Sequence, residues 1–184
     1  MHPELAHINK NFRIISQYIS DILEKDILNE INPDHLSPSK LSILKILYNY
    51  GPLSGRDFAD ILGISRAAAS KSIDQLYKAS LVNRRTNSSD RRVLVVSLSV
   101  KGSEVIDMYY NKRNDYMQEN LGVFSDQEME DLKTLLDKYI QSSVLKSKDI
   151  ELVCMVCNGT YGSNCGLNAA NDNQCEYLIK KGVA

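Results

Sequence analysis

A chain of 184 residues with 43% hydrophobic and 24% charged residues has the make-up of a soluble globular protein, either one large domain or one domain with appendages. No apolar run approaches the roughly 20 residues of a membrane-spanning helix, and Met1 to Asn11 lacks the apolar centre of a secretion signal. The expectation is a cytosolic (cytoplasmic) protein with no membrane partner. The net charge of −1 is unevenly spread: Ser54 to Lys101 holds nine Lys and Arg against four Asp, a local +5 that leaves −6 for the remainder. A local patch of that sign is what the phosphates of a nucleic acid respond to.

Leu5, Ile8, Phe12, Ile15, Ile19, Ile22, Leu23 and Ile27 recur at spacings of three and four, which predicts one long helix ended by Asn32 and Pro33. A second helix is expected from about Pro38 to Tyr48, with Ser37 as its N-cap and Leu41, Leu44, Ile46, Leu47 and Tyr48 as its packing face. Gly51-Pro52 ends it. Ser54 can cap a short helix through Leu62, Gly63 suits the left-handed turn after it, and Ser65 can cap a further helix to about Ala79. The run Ala67-Ala68-Ala69 keeps the start of that helix slim enough to approach base edges, while Ile73, Leu76 and Tyr77 are expected to point back to a core.

Leu81 to Thr86 and Val93 to Leu98 read as two paired strands joined by the turn-prone NSSDRR. Ser99 and Gly102 open another helix, packed through Val105, Ile106, Tyr109, Tyr116 and Leu121 to about Asn120. Ser125 with Glu128 forms a capping box for a last helix lined by Leu132, Leu135, Leu136, Tyr139, Ile140 and Val144. From Lys146 the character changes: Asn and Gly dominate residues 158 to 174, and all four cysteines fall between 154 and 175.

Cys154-x2-Cys157-x7-Cys165-x9-Cys175 points to a metal or a cluster, because thiols in a cytosolic chain more often ligate or do redox chemistry than form structural disulfides. The tail is too poor in apolar residues to fold unaided, and a bound metal can supply the missing ordering free energy. Only the first pair has the close spacing of a zinc knuckle. The scattered second half, interleaved with Gly159, Gly162 and Gly166, suits a 4Fe-4S cluster, with zinc (Zn2+) as the alternative and a thiol/disulfide switch as the third reading. No nucleotide-binding glycine loop after a strand, paired-carboxylate arrangement or nucleophile motif is present, so an enzyme is not expected. An iron–sulfur redox protein is the less favoured class.

The segment LSPSKLSILKILYNYGPLSGRDFADILGISRAAASKSIDQLYKASLVNRRTNSSDRRVLVVSLSVKG closely resembles MarR-type winged helix-turn-helix transcriptional regulators. The most specific pieces are Asp90-x-Arg92, Leu98-Ser99 and Gly102, preceded by Leu81-Val82-x-Arg84, and the likeness runs from about Leu5 to Val144. It implies a fold that is mainly α with a small β wing (α+β). The expected division is an N-terminal dimerisation helix (1–36), a DNA-binding winged domain (37–100), C-terminal dimerisation helices (101–147) and the cysteine-rich tail (148–184). The resemblance further implies a homodimer on double-stranded DNA, with two recognition helices in successive major grooves of a palindromic operator. Such proteins are mostly repressors released by a small-molecule effector or by oxidation. A phenolic-type ligand near the helix junctions is one such effector.

Residue roles follow from the resemblance. Ser65, Arg66, Ala67, Ala69, Ser70 and Lys71 lie on the first turns of the recognition helix, where Arg66 and Lys71 read guanine edges or bind phosphate. Arg92 matches the family arginine that enters the minor groove, Asp90 would hold its direction and Arg91 would meet phosphate. Arg84 and Arg85 flank the wing strand, one of them only hydrated. The tail lies outside the family pattern and would make the regulator a sensor of redox state, oxygen, nitric oxide or iron through Cys154, Cys157, Cys165 and Cys175.

Overall fold

The computed structural model describes residues 3–31, 36–86 and 94–143. The elements in order are α1 (Pro3–Gln17), a π-helical turn (Tyr18–Leu23), α2 (Glu24–Ile31), α3 (Pro38–Tyr50), β1 (Leu53–Ser54), α4 (Gly55–Leu62), α5 (Arg66–Lys78), β2 (Val82–Thr86), β3 (Leu94–Leu98), α6 (Val100–Leu121) and α7 (Asp126–Ser143). Seven α-helices and three short strands among these residues give the expected mainly helical chain with a small sheet.

The long N-terminal helix is present but carries a π turn that its apolar spacing does not announce; the Glu24 N–H reaches back five residues to the Ile19 carbonyl. The turn coincides with a change of environment. Before it, Leu5, Ile8, Ile14 and Ile15 are exposed; after it, Ile27, Leu28 and Ile31 are buried. One stripe in the sequence therefore serves two surfaces.

α3 is the central helix, with Leu41, Ile43, Leu44, Ile46 and Leu47 all buried. One expectation is corrected here. Ser37 has the extended backbone of an N-cap, but its side chain caps nothing and instead pairs with the Ser39 hydroxyl at 3.0 Å. Tyr48 is not buried: its ring meets the Tyr110 ring edge-on at 5.6 Å while its outer side stays exposed, and its hydroxyl donates to Asp107 Oδ1 at 2.9 Å.

The sheet has three strands in the order β1-β3-β2, all antiparallel. β1 is a correction to the expected two-strand hairpin: Leu53 and Ser54 pair with Val96 and Val95. A strand of two residues has no period to show in a sequence. β2 and β3 keep the expected pairing, with Arg84 opposite Val96 and Arg85 opposite Val95. Phe58, Leu76, Val82, Val96 and Ile106 close the core beneath this sheet.

Gly102 fixes how α6 leaves the sheet. A Cβ there would stand 2.0 Å from the Leu81 carbonyl oxygen, so only glycine permits the approach. The neighbouring Ser99 caps α6 as expected, its Oγ accepting from the Gly102 N–H at 2.9 Å. The Ser125–Glu128 capping box on α7 also forms: the Ser125 N–H donates to Glu128 Oε2 at 2.8 Å and the Glu128 N–H to Ser125 Oγ at 3.4 Å. No residue of α7 is buried within its own chain, so the apolar stripe with Leu135 and Tyr139 is not part of the core. Leu135 is 65% exposed, and the Tyr139 ring stacks on Phe12 of α1 at 4.5 Å. Val144, on the expected face of this helix, lies outside the described residues.

Candidate nucleic-acid interface

The site begins with the caps. Ser54 and Asp57 close a reciprocal capping box on α4: the Ser54 N–H donates to Asp57 Oδ2 at 2.8 Å and the Asp57 N–H to Ser54 Oγ at 3.3 Å. Gly63, with φ +62°, turns the chain, and Ser65 caps α5 by accepting from the Ala68 N–H at 3.2 Å. Two helices joined by so short a turn are a helix-turn-helix.

Ser65, Arg66, Ala67, Ser70 and Lys71 are exposed on the first turns of α5. Ala69 is not: it is 0% exposed and packs into the core with Ile73 and Leu76. The alanine run therefore has two jobs. Ala67 and Ala68 keep the outer face slim, and Ala69 lets α5 lie close to its own domain. Tyr77, expected in the core, is instead half-exposed.

Arg84 sits where the wing strand meets α5. Its guanidinium bonds Asp74 of α5, and it lies 5.0 Å from the ring centre of Tyr77. It is therefore a strut between the wing strand and the recognition helix, with its charge already answered inside the protein. The partners Asp74 and Tyr77 went unread because nothing in the sequence links positions ten apart on a helix and a strand. Arg56, Arg66 and Arg84 together line a cleft of about 220 Å³ between α4, α5 and β3, with Ser70 and Asp74 on its walls. Arg85, the next residue along β2, is exposed. The far end of α5 is bolted to α6: Ser99 Oγ donates to the Ser80 carbonyl at 2.7 Å and Lys101 Nζ to the Ala79 carbonyl at 3.2 Å.

Asp90, Arg91 and Arg92 at the expected wing tip, and Cys154, Cys157, Cys165 and Cys175 in the tail, lie outside the described residues. Among the described residues no group of three His, Cys, Asp or Glu is placed to hold a metal ion, and no described helix is long and apolar enough to cross a membrane.

Behind the helix-turn-helix sits a polar cluster that the sequence did not reveal. Lys45 of α3 bonds Glu24 of α2, donates to the Tyr109 hydroxyl at 3.1 Å, and lies 4.4 Å from the centre of the Tyr109 ring. Burial holds the Lys45 ammonium below its ordinary range, with Glu24 opposing that shift. Burial pushes the Tyr109 and Tyr110 phenols up, so both stay protonated at any ordinary pH. Tyr116 is pushed up to about 12, chiefly by its bond to Glu30.

Residues 36–94, which run from just before α3 through the helix-turn-helix to the start of β3, match the family model described as the MarR family. Over that stretch, about a third of its length, the chain is similar to the MarR family. An HTH-type transcriptional regulator of Bacillus subtilis, YpoP, is 27% identical over 131 residues, covering 71% of this chain and 86% of that protein. The fold is that of solved MarR structures. A MarR family protein from Bacillus stearothermophilus superposes with a TM-score of 0.67 at 21% identity, over 78% of this chain and 98% of that one. A single-residue mutant of MepR from S. aureus, solved bound to an oligodeoxyribonucleotide, superposes with a TM-score of 0.59 at 20% identity, over 73% and 96%. The MarR match ends before the tail, so the four cysteines are an addition to the matched region.

Proposed function

We propose that this chain is a MarR-family regulator, and that it binds a palindromic duplex as a homodimer and represses transcription by doing so. The carrying observation is the amino-terminal face of α5: a capped helix start that presents Ser65, Arg66, Ala67, Ser70 and Lys71 to solvent beside a wing strand. Arg66 and Lys71 supply charge and donors for base edges or phosphate. Arg84 acts from behind by holding α5 to the wing. Asp90, Arg91 and Arg92 would extend the grip at the wing tip. The relative solved on an oligodeoxyribonucleotide supports this reading. The uncovered apolar residues of α1 and α7, Leu5, Ile8, Ile15, Leu135 and Leu136 among them, supply the surface a second copy would cover.

The tail carries the regulatory half of the proposal. Four thiolates meet the donor number and softness of a 4Fe-4S cluster, and equally of a tetrahedral zinc ion. Their uneven spacing favours the cluster. A cluster supplies sensitivity to oxygen, nitric oxide or iron supply, and Cys154, Cys157, Cys165 and Cys175 would hold it. The tail follows α7 directly, so its state would bear on the helices of the pair.

Anisotropy titration of the full chain, purified without oxygen, against a pool of genomic duplexes tests the DNA reading. Arg66→Ala should weaken binding to the selected duplex by about 1–3 kcal/mol while leaving the fold intact; equal binding of every duplex by both proteins would remove the reading. Iron, sulfide and zinc analysis of the same sample, with operator affinity before and after metal removal, tests the tail. Iron with sulfide and an affinity that changes on removal supports the cluster sensor. One zinc per chain and an unchanged affinity assigns the tail a structural role.

A further inference from the structure

α6 touches both ends of the problem of gripping DNA as a pair. Its first turn is fixed to the back of the recognition helix by Ser99, Lys101 and Gly102. Farther along it is tied to the N-terminal helices: Lys112 Nζ donates to Glu30 at 2.9 Å, Tyr116 donates to the same carboxylate, and Asn120 donates to the Tyr18 hydroxyl at 3.3 Å. Any rotation of α6 against α3 would therefore swing α5 relative to the helices that carry the uncovered apolar surface.

At the crossing of α2, α3 and α6 the packing is not left to apolar contacts. Lys45 bonds Glu24 and Tyr109, and the Tyr109 hydroxyl closes the triangle by donating to Glu24 Oε1 at 3.3 Å. The two charged side chains are only 14% and 19% exposed. Arg113, the other cation acting on this cluster, lies one turn on along α6 and opposes the Lys45 charge. A partly buried ion pair adds little net stability over apolar side chains of the same size, because desolvation offsets the attraction. What it does add is geometry. Apolar side chains tolerate a slide of one helix on another; a closed triangle of directed bonds from three elements does not.

We infer that Glu24, Lys45 and Tyr109 are positioning residues for DNA binding: they set the angle of α6 on the winged core, and through it the separation of two recognition helices on the duplex. None of the three lies on the DNA-facing surface. This inference rests on the reading of the chain as a DNA-binding pair, and it makes a claim that reading does not, namely that the preferred distance between half-sites is set at this crossing.

The test uses the full chain and three duplex sets: the selected operator, the same half-sites moved apart or together by one base pair, and a single half-site. The double variant Glu24→Gln with Lys45→Met removes both charges together, so neither is left buried alone. It should unfold cooperatively, keep the wild-type mass in solution and bind the single half-site as the wild type does. On the operator it should lose about tenfold in affinity, and the penalty for altered spacing should shrink. Tyr109→Phe, which removes only the hydroxyl contacts, should move both readouts the same way by less. Lys45→Arg, which keeps a cation beside Glu24, should restore the spacing penalty. A double variant with wild-type operator affinity and spacing penalty overturns the positioning role, and so does an equal loss on the operator and the single half-site. A wild-type chain that binds no duplex removes the DNA reading itself; a wild-type spacing preference shared by the variants removes only the role of the triangle.

Discussion

The winged core and the helical arms treat the same kind of residue in opposite ways. In the core, from α3 to the first turns of α6, apolar side chains such as Phe58, Leu44 and Ile106 are wholly covered by their own chain. On α1 and α7 no residue is buried, although both carry leucine and isoleucine at helical spacing. The π turn at Tyr18–Leu23 marks the border. A core that closes on itself can be stable alone; arms that do not close need something to lie against. The difference separates what holds this fold from what the fold is for.

The largest expected effect comes from breaking the arms. Ile15→Glu or Leu135→Glu should leave the winged core folded, reduce the particle to a single chain in light scattering, and weaken operator binding by on the order of 100-fold, because two linked half-site contacts become one. Unchanged mass with either variant would mean that the uncovered stripe is not the pairing surface.

Breaking the core gives the opposite pattern. Gly102→Ala places a Cβ against the Leu81 carbonyl, so backbone must move, and it should cost about 2–3 kcal/mol of stability. Calorimetry should show the melting temperature falling by roughly 5–10 °C. A variant that melts with the wild type would contradict the tight joint between β2 and α6.

A smaller effect sharpens the comparison at its junction with function. Ser54→Ala removes the α4 cap and should cost about 1 kcal/mol in denaturant unfolding, while Lys71→Ala should leave stability within about 0.5 kcal/mol and weaken duplex binding. Ser54 belongs to the fold and Lys71 to the surface, and reversal of the two outcomes would undo that assignment.

The smallest effect is on pH. Backbone and side-chain bonds from Ser125 hold Glu128 below its ordinary value of 4.5. A depressed carboxyl stabilises the folded state at pH above 4.5, and that contribution is lost as the pH falls through the lower folded value. The Glu128 carboxyl, followed by NMR, should therefore titrate with its midpoint below the ordinary 4.5, and a midpoint at or above that value would contradict the cap.

How much could be read from the chain follows the same division. Ser54, Gly63, Ser65, Ser99 and Ser125 mark helix ends by local chemistry, so the order of elements and the helix-turn-helix were legible without coordinates. The same local logic failed at Ser37, whose hydroxyl chose Ser39. Contacts between distant parts of the chain were not legible. Nothing near Arg84 announces Asp74 and Tyr77, and nothing near Lys45 announces Glu24 and Tyr109. Ala69 and Ala67 look alike in sequence, and only the tilt of α5 on the core sends one inward and leaves the other outside. The apolar stripes were visible, but periodicity states that a face is apolar and not whether its own chain covers it.

One measurement bears on the central claim above all others: sedimentation of the full chain with its selected duplex, protein and DNA followed at separate wavelengths. The account predicts two chains per duplex on an inverted repeat whose half-sites lie about one helical turn apart, with the complex weakened when Arg66 is replaced by Ala. One chain per duplex, or the same complex on every duplex offered, would contradict it.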